Sequence, residues 1–354
     1  MDTQASIKMN IAVFSAHEYD RVYFSRVQAV SSPIITLTYH TFALTAETAS
    51  LTSGANAVCV FVNDTLDASV LETLKSIGVR AIFLRCAGYN NVDLEAAERL
   101  GLFVANVPSY SPESVAEFAV ALLLTLNRKT HRAYNRVREG NFSLDGLVGF
   151  RLFGKTVGIV GTGKIGVCFA RIMKGFGCRL IAYDPHHDEE FEELGKYVEL
   201  DELLAGSDIV SLHCPLVKET RHIINADTVG KMKKGAMLLN TSRGGLLDAD
   251  AVLAALKRGQ LGGLALDVYE QEGALFYADH SADIIGDDTL MRLTTFPSVI
   301  ISGHQAFFTE EALHEIALVT LDNAAAFAEG IPCKNRLVYG DKTRASTEKC
   351  SVRI

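Results

Sequence analysis

The sequence predicts two doubly wound α/β domains, each on a parallel sheet, with a cleft between them. Three observations predict this. The chain has 354 residues, more than one ordinary core accommodates. Short apolar runs alternate with helical stretches almost from end to end, the pattern of successive βαβ units. A glycine-rich turn, Gly161-Thr162-Gly163-Lys164-Ile165-Gly166, stands between a strand pattern and a helix pattern in the second half and has no counterpart in the first.

Composition narrows the function classes. With 48% hydrophobic and 21% charged residues, the balance is that of a soluble globular protein. The net charge of −8 comes with basic residues scattered among the acids, so no nucleic-acid partner is expected. Met1–Asn10 has no apolar core of a secretory signal, and the apolar run Phe118–Leu126 is too short to span a bilayer, so no membrane role is expected. Seven cysteines, odd in number and without a close pair, fit the reduced thiols of a cytoplasmic protein better than disulfides or a zinc site; no metal is expected. The polar, aperiodic residues 339–354 read as a flexible tail.

The elements follow in order. Strands are expected near Ile11–Phe14, Ile34–Leu37, Ala57–Phe61, Ala81–Leu84 and Leu102–Ala105, with helices such as Leu66–Ile77 and Leu94–Leu100 between them. Ser111-Pro112-Glu113 opens a helix with a capping residue, a first-turn proline and an early acid. Its body, Val115–Leu126, is apolar on nearly every face except Glu117, so it is expected in a core or against a second subunit. Further strands are expected at Thr156–Val160, Leu180–Tyr183, Asp208–His213, Met237–Thr241, Leu264–Val268 and Val299–Ser302, followed by a helix over Glu310–Ala328. That last helix has no strand to feed, so the economical division is a discontinuous domain of residues 8–109 and 305–338 around a second domain of 110–304.

The glycine-rich turn has the arrangement that binds a dinucleotide. Gly161 allows the tight turn, Gly163 admits a pyrophosphate to the backbone, and Gly166 lets the helix pack on the strand, while Lys164 and Ile165 begin a helix whose N–H groups face the phosphates. The next strand ends at Asp184, whose carboxylate suits ribose hydroxyls and repels a 2′-phosphate, so NAD is expected rather than NADP.

Other polar residues end the later strands: His213-Cys214-Pro215, Asn240-Thr241-Ser242-Arg243, Asp267 with Glu272 soon after, and His304. Reducing a 2-oxo acid requires that the carboxylate be held, the carbonyl polarised and the alkoxide protonated. Arg243, followed by two glycines, suits the first two tasks. A histidine suits the third, and spacing leaves His213 and His304 both open.

From Gly161 onward these motifs resemble the D-specific 2-hydroxyacid dehydrogenase family: Leu212-His213-Cys214-Pro215-Leu216, Asn240-Thr241-Ser242-Arg243-Gly244, Leu266-Asp267-Val268-Tyr269-Glu270 and Ser302-Gly303-His304-Gln305-Ala306-Phe307. The resemblance implies a Rossmann-type NAD domain and a flavodoxin-like substrate domain. It implies Arg243 as substrate arginine, His304 as acid–base histidine and Glu272 as its partner. Asp267 would hold the nicotinamide carboxamide, with Cys214, Pro215 and Thr241 lining the ring. In the first domain, Arg85-Cys86-Ala87-Gly88-Tyr89 resembles the family's substrate-carboxylate loop, assigning Ala87 and Gly88 to the substrate, and Tyr110 matches a substrate tyrosine. Phe307 and the Phe276-Tyr277 segment are similar to the fermentative D-lactate branch, which implies reduction of pyruvate to D-lactate by NADH in a homodimer. Two other readings share the fold: a dehydrogenase of larger 2-oxo acids, and a non-enzymatic NAD-sensing corepressor.

Overall fold

The computed structural model describes residues 9–29, 35–52 and 54–339; the first residue of the expected strand at Ile34, most of the amino-terminal stretch and the tail beyond Tyr339 lie outside the described residues. Two compact units divide the chain. One takes the described residues up to Ser111 and those from Phe308 onward, and the other takes Pro112–Phe307.

The first unit runs β1 (Met9–Val13), α1 (Glu18–Gln28), β2 (Ile35–Tyr39), β3 (Ala57–Val60), α2 (Ala68–Ser76), β4 (Ala81–Leu84), α3 (Leu94–Arg99) and β5 (Phe103–Ala105). Its strands pair in the order β2-β1-β3-β4-β5, all parallel. That is the flavodoxin-like doubly wound order. β3 and β4 are buried at every position, as continuous apolar runs covered on both faces must be. The helix expected from Leu66 starts later because Leu66 bridges to Val92 and the Asp67 side chain caps α2 by accepting from the Val70 N–H.

The second unit contains α4 (Pro112–Arg128), α5 (Thr130–Arg138), β6 (Thr156–Val160), α6 (Lys164–Gly175), β7 (Arg179–Tyr183), α7 (Glu189–Leu194), β8 (Lys196–Tyr197), α8 (Leu200–Gly206), β9 (Ile209–Leu212), α9 (Ala226–Lys231), β10 (Ala236–Asn240), α10 (Ala249–Lys257), β11 (Leu261–Leu266), α11 (Asp288–Thr294) and β12 (Val299–Ile301). The chain then returns to the first unit as α12 (Glu310–Glu329), capped by Thr309 and ended by Gly330 in the left-handed region at φ 68°. Ala317, Leu321 and Ala324 of α12 share a core with Val13, Cys59 and Phe83.

The seven strands of the second unit order as β12-β11-β10-β9-β6-β7-β8, again all parallel. The winding reverses between β6 and β9, so a crevice opens beyond the carboxyl ends of those two strands. The over-apolar α4 is buried inside its own unit: Ala116, Ala119, Leu123 and Leu126 join the core that contains Val157, Phe169 and Leu239. A second subunit is not needed to cover it. A run of exposed apolar side chains follows α4, among them Tyr134, Phe142, Leu144, Val148 and Phe153.

Two strands depart from the sequence-based expectation. β11 begins at Leu261 rather than Leu264: Gly262 and Gly263 interrupt the apolar pattern, while the strand still pairs with β10 through a register shift that leaves Gly262 without an opposite residue. The two-residue β8 is an edge strand too short to leave a periodicity.

Candidate active site

The glycine-rich turn lies at the topological switch. Gly161 has φ 97°, and a Cβ there would lie 2.6 Å from the Cys214 backbone nitrogen, so this position requires glycine on both conformational and steric grounds. A Cβ on Gly166 would collide with the Gly161 carbonyl oxygen, which sets how closely α6 approaches the turn. Gly163 is the N-cap of α6 and offers no side-chain cap. The N–H groups of the first turn, at Lys164 and Ile165, therefore have no side-chain acceptor at the cap and face the crevice with the positive end of the helix dipole.

Asp184 follows β7 and braces this turn. Its Oδ2 accepts from the Thr162 N–H at 2.7 Å, and its Oδ1 accepts from the His186 N–H at 2.8 Å. Thr162 is held further by a 2.7 Å contact between its hydroxyl and that of Tyr197. Tyr197 is a member of the cofactor turn that sequence reasoning missed. Its edge strand is too short to read, and nothing in the spacing ties it to Thr162.

After β9 comes His213, buried against Phe169 with its Nε2 2.8 Å from the Ser211 hydroxyl. Burial pushes its pKa down to about 3, so the ring is neutral in any working range and delivers no proton. Of the two histidines that spacing leaves open, His213 is the one that burial keeps neutral. Burial pushes the neighbouring Cys214 thiol up to about 12, leaving a neutral apolar wall, and the Cys214 carbonyl accepts from the Ser242 hydroxyl at 2.8 Å. Pro215 is exposed beyond it. Thr241 is buried, and its hydroxyl has no hydrogen-bond partner among the described residues. A buried orphan hydroxyl beside a cradle that only glycine permits fits a polar planar ligand such as a nicotinamide carboxamide.

Arg243 heads the turn after β10. The Asn240 side chain donates to its carbonyl at 2.8 Å, and its Nη1 donates to the Ser242 carbonyl at 2.7 Å. It is half-buried, and it has no carboxylate partner among the described residues. The next residue must be glycine, since a Cβ on Gly244 would overlap the Tyr269 and Glu270 backbone. The Arg243 turn thus lies directly on the loop that carries Glu272.

Glu272 and His304 meet. The His304 Nδ1 lies 2.7 Å from Glu272 Oε1, with both side chains largely buried. Glu272 Oε2 accepts from the Tyr269 N–H at 2.8 Å, so the carboxylate is fixed at both ends. His304 Nε2 has no hydrogen-bond partner among the described residues. The backbone of His304 is left-handed at φ 54°, an uncommon conformation that persists only where its surroundings enforce it.

Asp267 provides that enforcement. It is fully buried; its Oδ1 accepts from the Ser302 hydroxyl at 2.6 Å and the Gln305 N–H at 2.9 Å, and its Oδ2 from the Ala306 N–H at 2.8 Å. Its own carbonyl accepts from the His304 N–H at 2.7 Å. Burial pushes its carboxyl above the ordinary carboxylate range, opposed by these donors. The carboxylate of Asp267 thus accepts from Ser302, Gln305 and Ala306, all on the loop that carries His304.

Phe307 is buried at the end of that loop. Ala87 and Gly88 lie in the first unit beyond β4. There the Asn106 side chain donates to the Ala87 carbonyl at 2.7 Å and the Cys86 thiol lies 3.2 Å from the Gly88 carbonyl. Tyr110 is half-buried near the end of the same unit. No cluster of side chains able to hold a metal ion occurs among the described residues, and no described helix is long and apolar enough to cross a membrane.

Comparison with known proteins agrees with this geometry. Residues 120–306 match the NAD binding domain of the D-isomer specific 2-hydroxyacid dehydrogenases. The chain is 63% identical to 2-hydroxyacid dehydrogenase A of Aspergillus oryzae, covering 98% of this chain and all of that one. It is 62% identical to D-lactate dehydrogenase kk1H of Curvularia clavata over the same shares. The solved apo-structure of D-lactate dehydrogenase from Escherichia coli superposes with a TM-score of 0.85 at 47% identity, covering 93% of this chain and 100% of that one. The chain therefore belongs to the D-isomer specific 2-hydroxyacid dehydrogenases, and it is an NAD-binding oxidoreductase.

Proposed function

We propose that this enzyme reduces pyruvate to D-lactate with NADH. The unit built on residues up to Ser111 and from Phe308 would serve as substrate domain and Pro112–Phe307 as NAD domain, within a few residues of the expected 8–109 with 305–338 and 110–304. The observation that carries the chemistry is the 2.7 Å pairing of His304 with Glu272, which occupies Nδ1 and leaves Nε2 for a substrate oxygen. The similarity to proteins named D-lactate dehydrogenases supports the choice of substrate.

In this reading the cofactor, held by Gly161, Gly163, Lys164, Ile165 and Gly166 at its pyrophosphate, by Asp184 at its ribose, and by Cys214, Pro215, Thr241 and Asp267 around its nicotinamide, supplies the hydride. Arg243 binds the substrate carboxylate through its fork and draws electron density onto the carbonyl oxygen, because its guanidinium has no carboxylate of its own to neutralise. His304 Nε2 gives that oxygen its proton, while Glu272 keeps the ring in one orientation and compensates the imidazolium. Ala87 and Gly88 offer backbone N–H groups to the substrate carboxylate, and Tyr110 and Phe307 limit the space around its methyl group. The test is NADH oxidation across a series of 2-oxo acids of increasing length. Pyruvate is expected to give the highest kcat/KM, and preference for a bulky acid would replace the substrate while keeping the machinery.

The enzyme works, in this reading, as a homodimer in the cytoplasm, where its six described free cysteines stay reduced. With α4 buried in its own core, the exposed apolar side chains from Tyr134 to Phe153 offer a surface for a second copy. Light scattering is expected to report twice the chain mass of 38.4 kDa, and a monomer at micromolar concentration would refute the dimer.

A further inference from the structure

Between β9 and α9 the chain makes a loop that the mechanism above does not use, and this loop touches both halves of the catalytic apparatus. His222 N–H donates to the Gly245 carbonyl at 2.9 Å, Ile224 N–H to the Leu246 carbonyl at 3.1 Å, and Asp248 N–H back to the Ile224 carbonyl at 2.9 Å. These three bonds form a short parallel ladder on the segment that follows Arg243. The ring of the same His222 turns toward the other loop: its Nε2 lies 3.0 Å from Glu270 Oε2. The remaining Glu270 oxygen takes Arg221 at 2.6 Å. Glu270 is two residues before Glu272, and the peptide between Tyr269 and Glu270 is the one a Cβ on Gly244 would strike.

His222 holds a left-handed backbone at φ 49°, a conformation unfavourable for a residue other than glycine. The Asn225 side chain stabilises it by donating to the His222 carbonyl at 3.0 Å. That conformation is what lets one residue give its N–H to the Arg243 side and its ring to the Glu272 side. Arg221 is 57% exposed and contributes little alone, whereas Glu270 is 20% exposed and its bond to His222 is shielded.

We propose that His222 and Glu270 form a positioning clamp that holds the Arg243 turn and the Glu272 loop in register. At Gly244 the two loops meet backbone to backbone, a contact that fixes their separation but not their slide past one another. The clamp fixes the slide, and so sets where the Arg243 fork lies relative to the Glu272–His304 pair. Neither residue touches substrate; both act through Arg243 and Glu272, and the inference rests on the roles given to those two residues above.

The test compares wild type with His222→Asn, Glu270→Ala, Glu270→Gln and the double variant His222→Asn/Glu270→Ala. Asparagine tolerates the left-handed backbone but cannot reach Glu270, so the ring contact is removed without the strain. For His222→Asn and Glu270→Ala, kcat/KM is expected to fall about tenfold, the scale of one charge-assisted hydrogen bond. Oxamate, a pyruvate isostere, should bind the enzyme–NADH complex correspondingly more weakly, while NADH affinity itself stays at the wild-type value. Glu270→Gln, which keeps an acceptor, should recover part of the loss, and the double variant should be no worse than the poorer single. Wild-type kcat/KM in both single variants, or a loss that appears equally in NADH affinity, would overturn the clamp. The comparison uses whichever 2-oxo acid the wild type reduces fastest, so a wrong substrate assignment does not affect it. Absence of any wild-type turnover would overturn the catalytic reading and the clamp with it.

Discussion

Replacing His304 by alanine is expected to lower kcat for 2-oxo acid reduction by about 10²- to 10⁴-fold, the range that a positioned general acid contributes. The size follows from the arrangement. Glu272 occupies Nδ1, so Nε2 is the ring's one route to a substrate oxygen, and the other nearby imidazole, His213, is held neutral by burial with its pKa pushed down to about 3. NADH binding should survive, because the backbone of residues 304–306 is tied to Asp267 by three N–H donors that do not involve the ring. Alanine in the left-handed conformation at this position adds strain, so His304→Asn serves as the control with a tolerated backbone. Steady-state rates beside a fluorescence titration with NADH measure both. Activity within tenfold of wild type would remove His304 from the mechanism.

Arg243→Gln is expected to lower kcat/KM by about 10²- to 10³-fold or more, the cost of removing one oriented donor from developing negative charge. The loss is placed high in that range because Arg243 is asked to do two things, to hold the carboxylate and to polarise the carbonyl. Arg243→Lys should recover little. An ammonium is a point charge without the planar fork, and the wild-type guanidinium is set by Asn240 gripping its carbonyl and by its own Nη1 on Ser242. The informative quantity is the split between parameters: KM for the 2-oxo acid should rise and kcat fall together, with NADH affinity unchanged. A rise in NADH dissociation of the same size would instead place Arg243 in the cofactor site.

Much of this was legible in the chain. The two parallel sheets follow from buried apolar runs such as Ala57–Val60 and Ala81–Leu84, which need no alternation because helices cover both faces. The glycine turn is legible because each glycine answers a local steric demand, and at Gly161 the structure gives that demand an address in Cys214. The candidate acid was not legible from spacing. His213 and His304 both follow strands, and what separates them is burial, which is a property of packing. The meeting of Glu272 with His304 spans 32 positions and depends on the course of two loops. Family resemblance assigns Asp267 to the cofactor; that its oxygens also organise residues 302–306 was not legible, because that role is set largely by backbone N–H groups that no sequence pattern displays. Tyr197 and His222 left no signal for a similar reason. One belongs to a two-residue strand, and the other works through a left-handed backbone that composition does not announce.

The central claim is that these residues together make a D-specific pyruvate reductase, and one assay tests it most directly. Purified enzyme is mixed with pyruvate and NADH, the loss of NADH absorbance is followed, and the product is assayed with enantiomer-specific lactate enzymes. The account predicts rapid turnover in which every NADH consumed yields D-lactate. L-lactate as product, or no NADH oxidation with any 2-oxo acid, would contradict it.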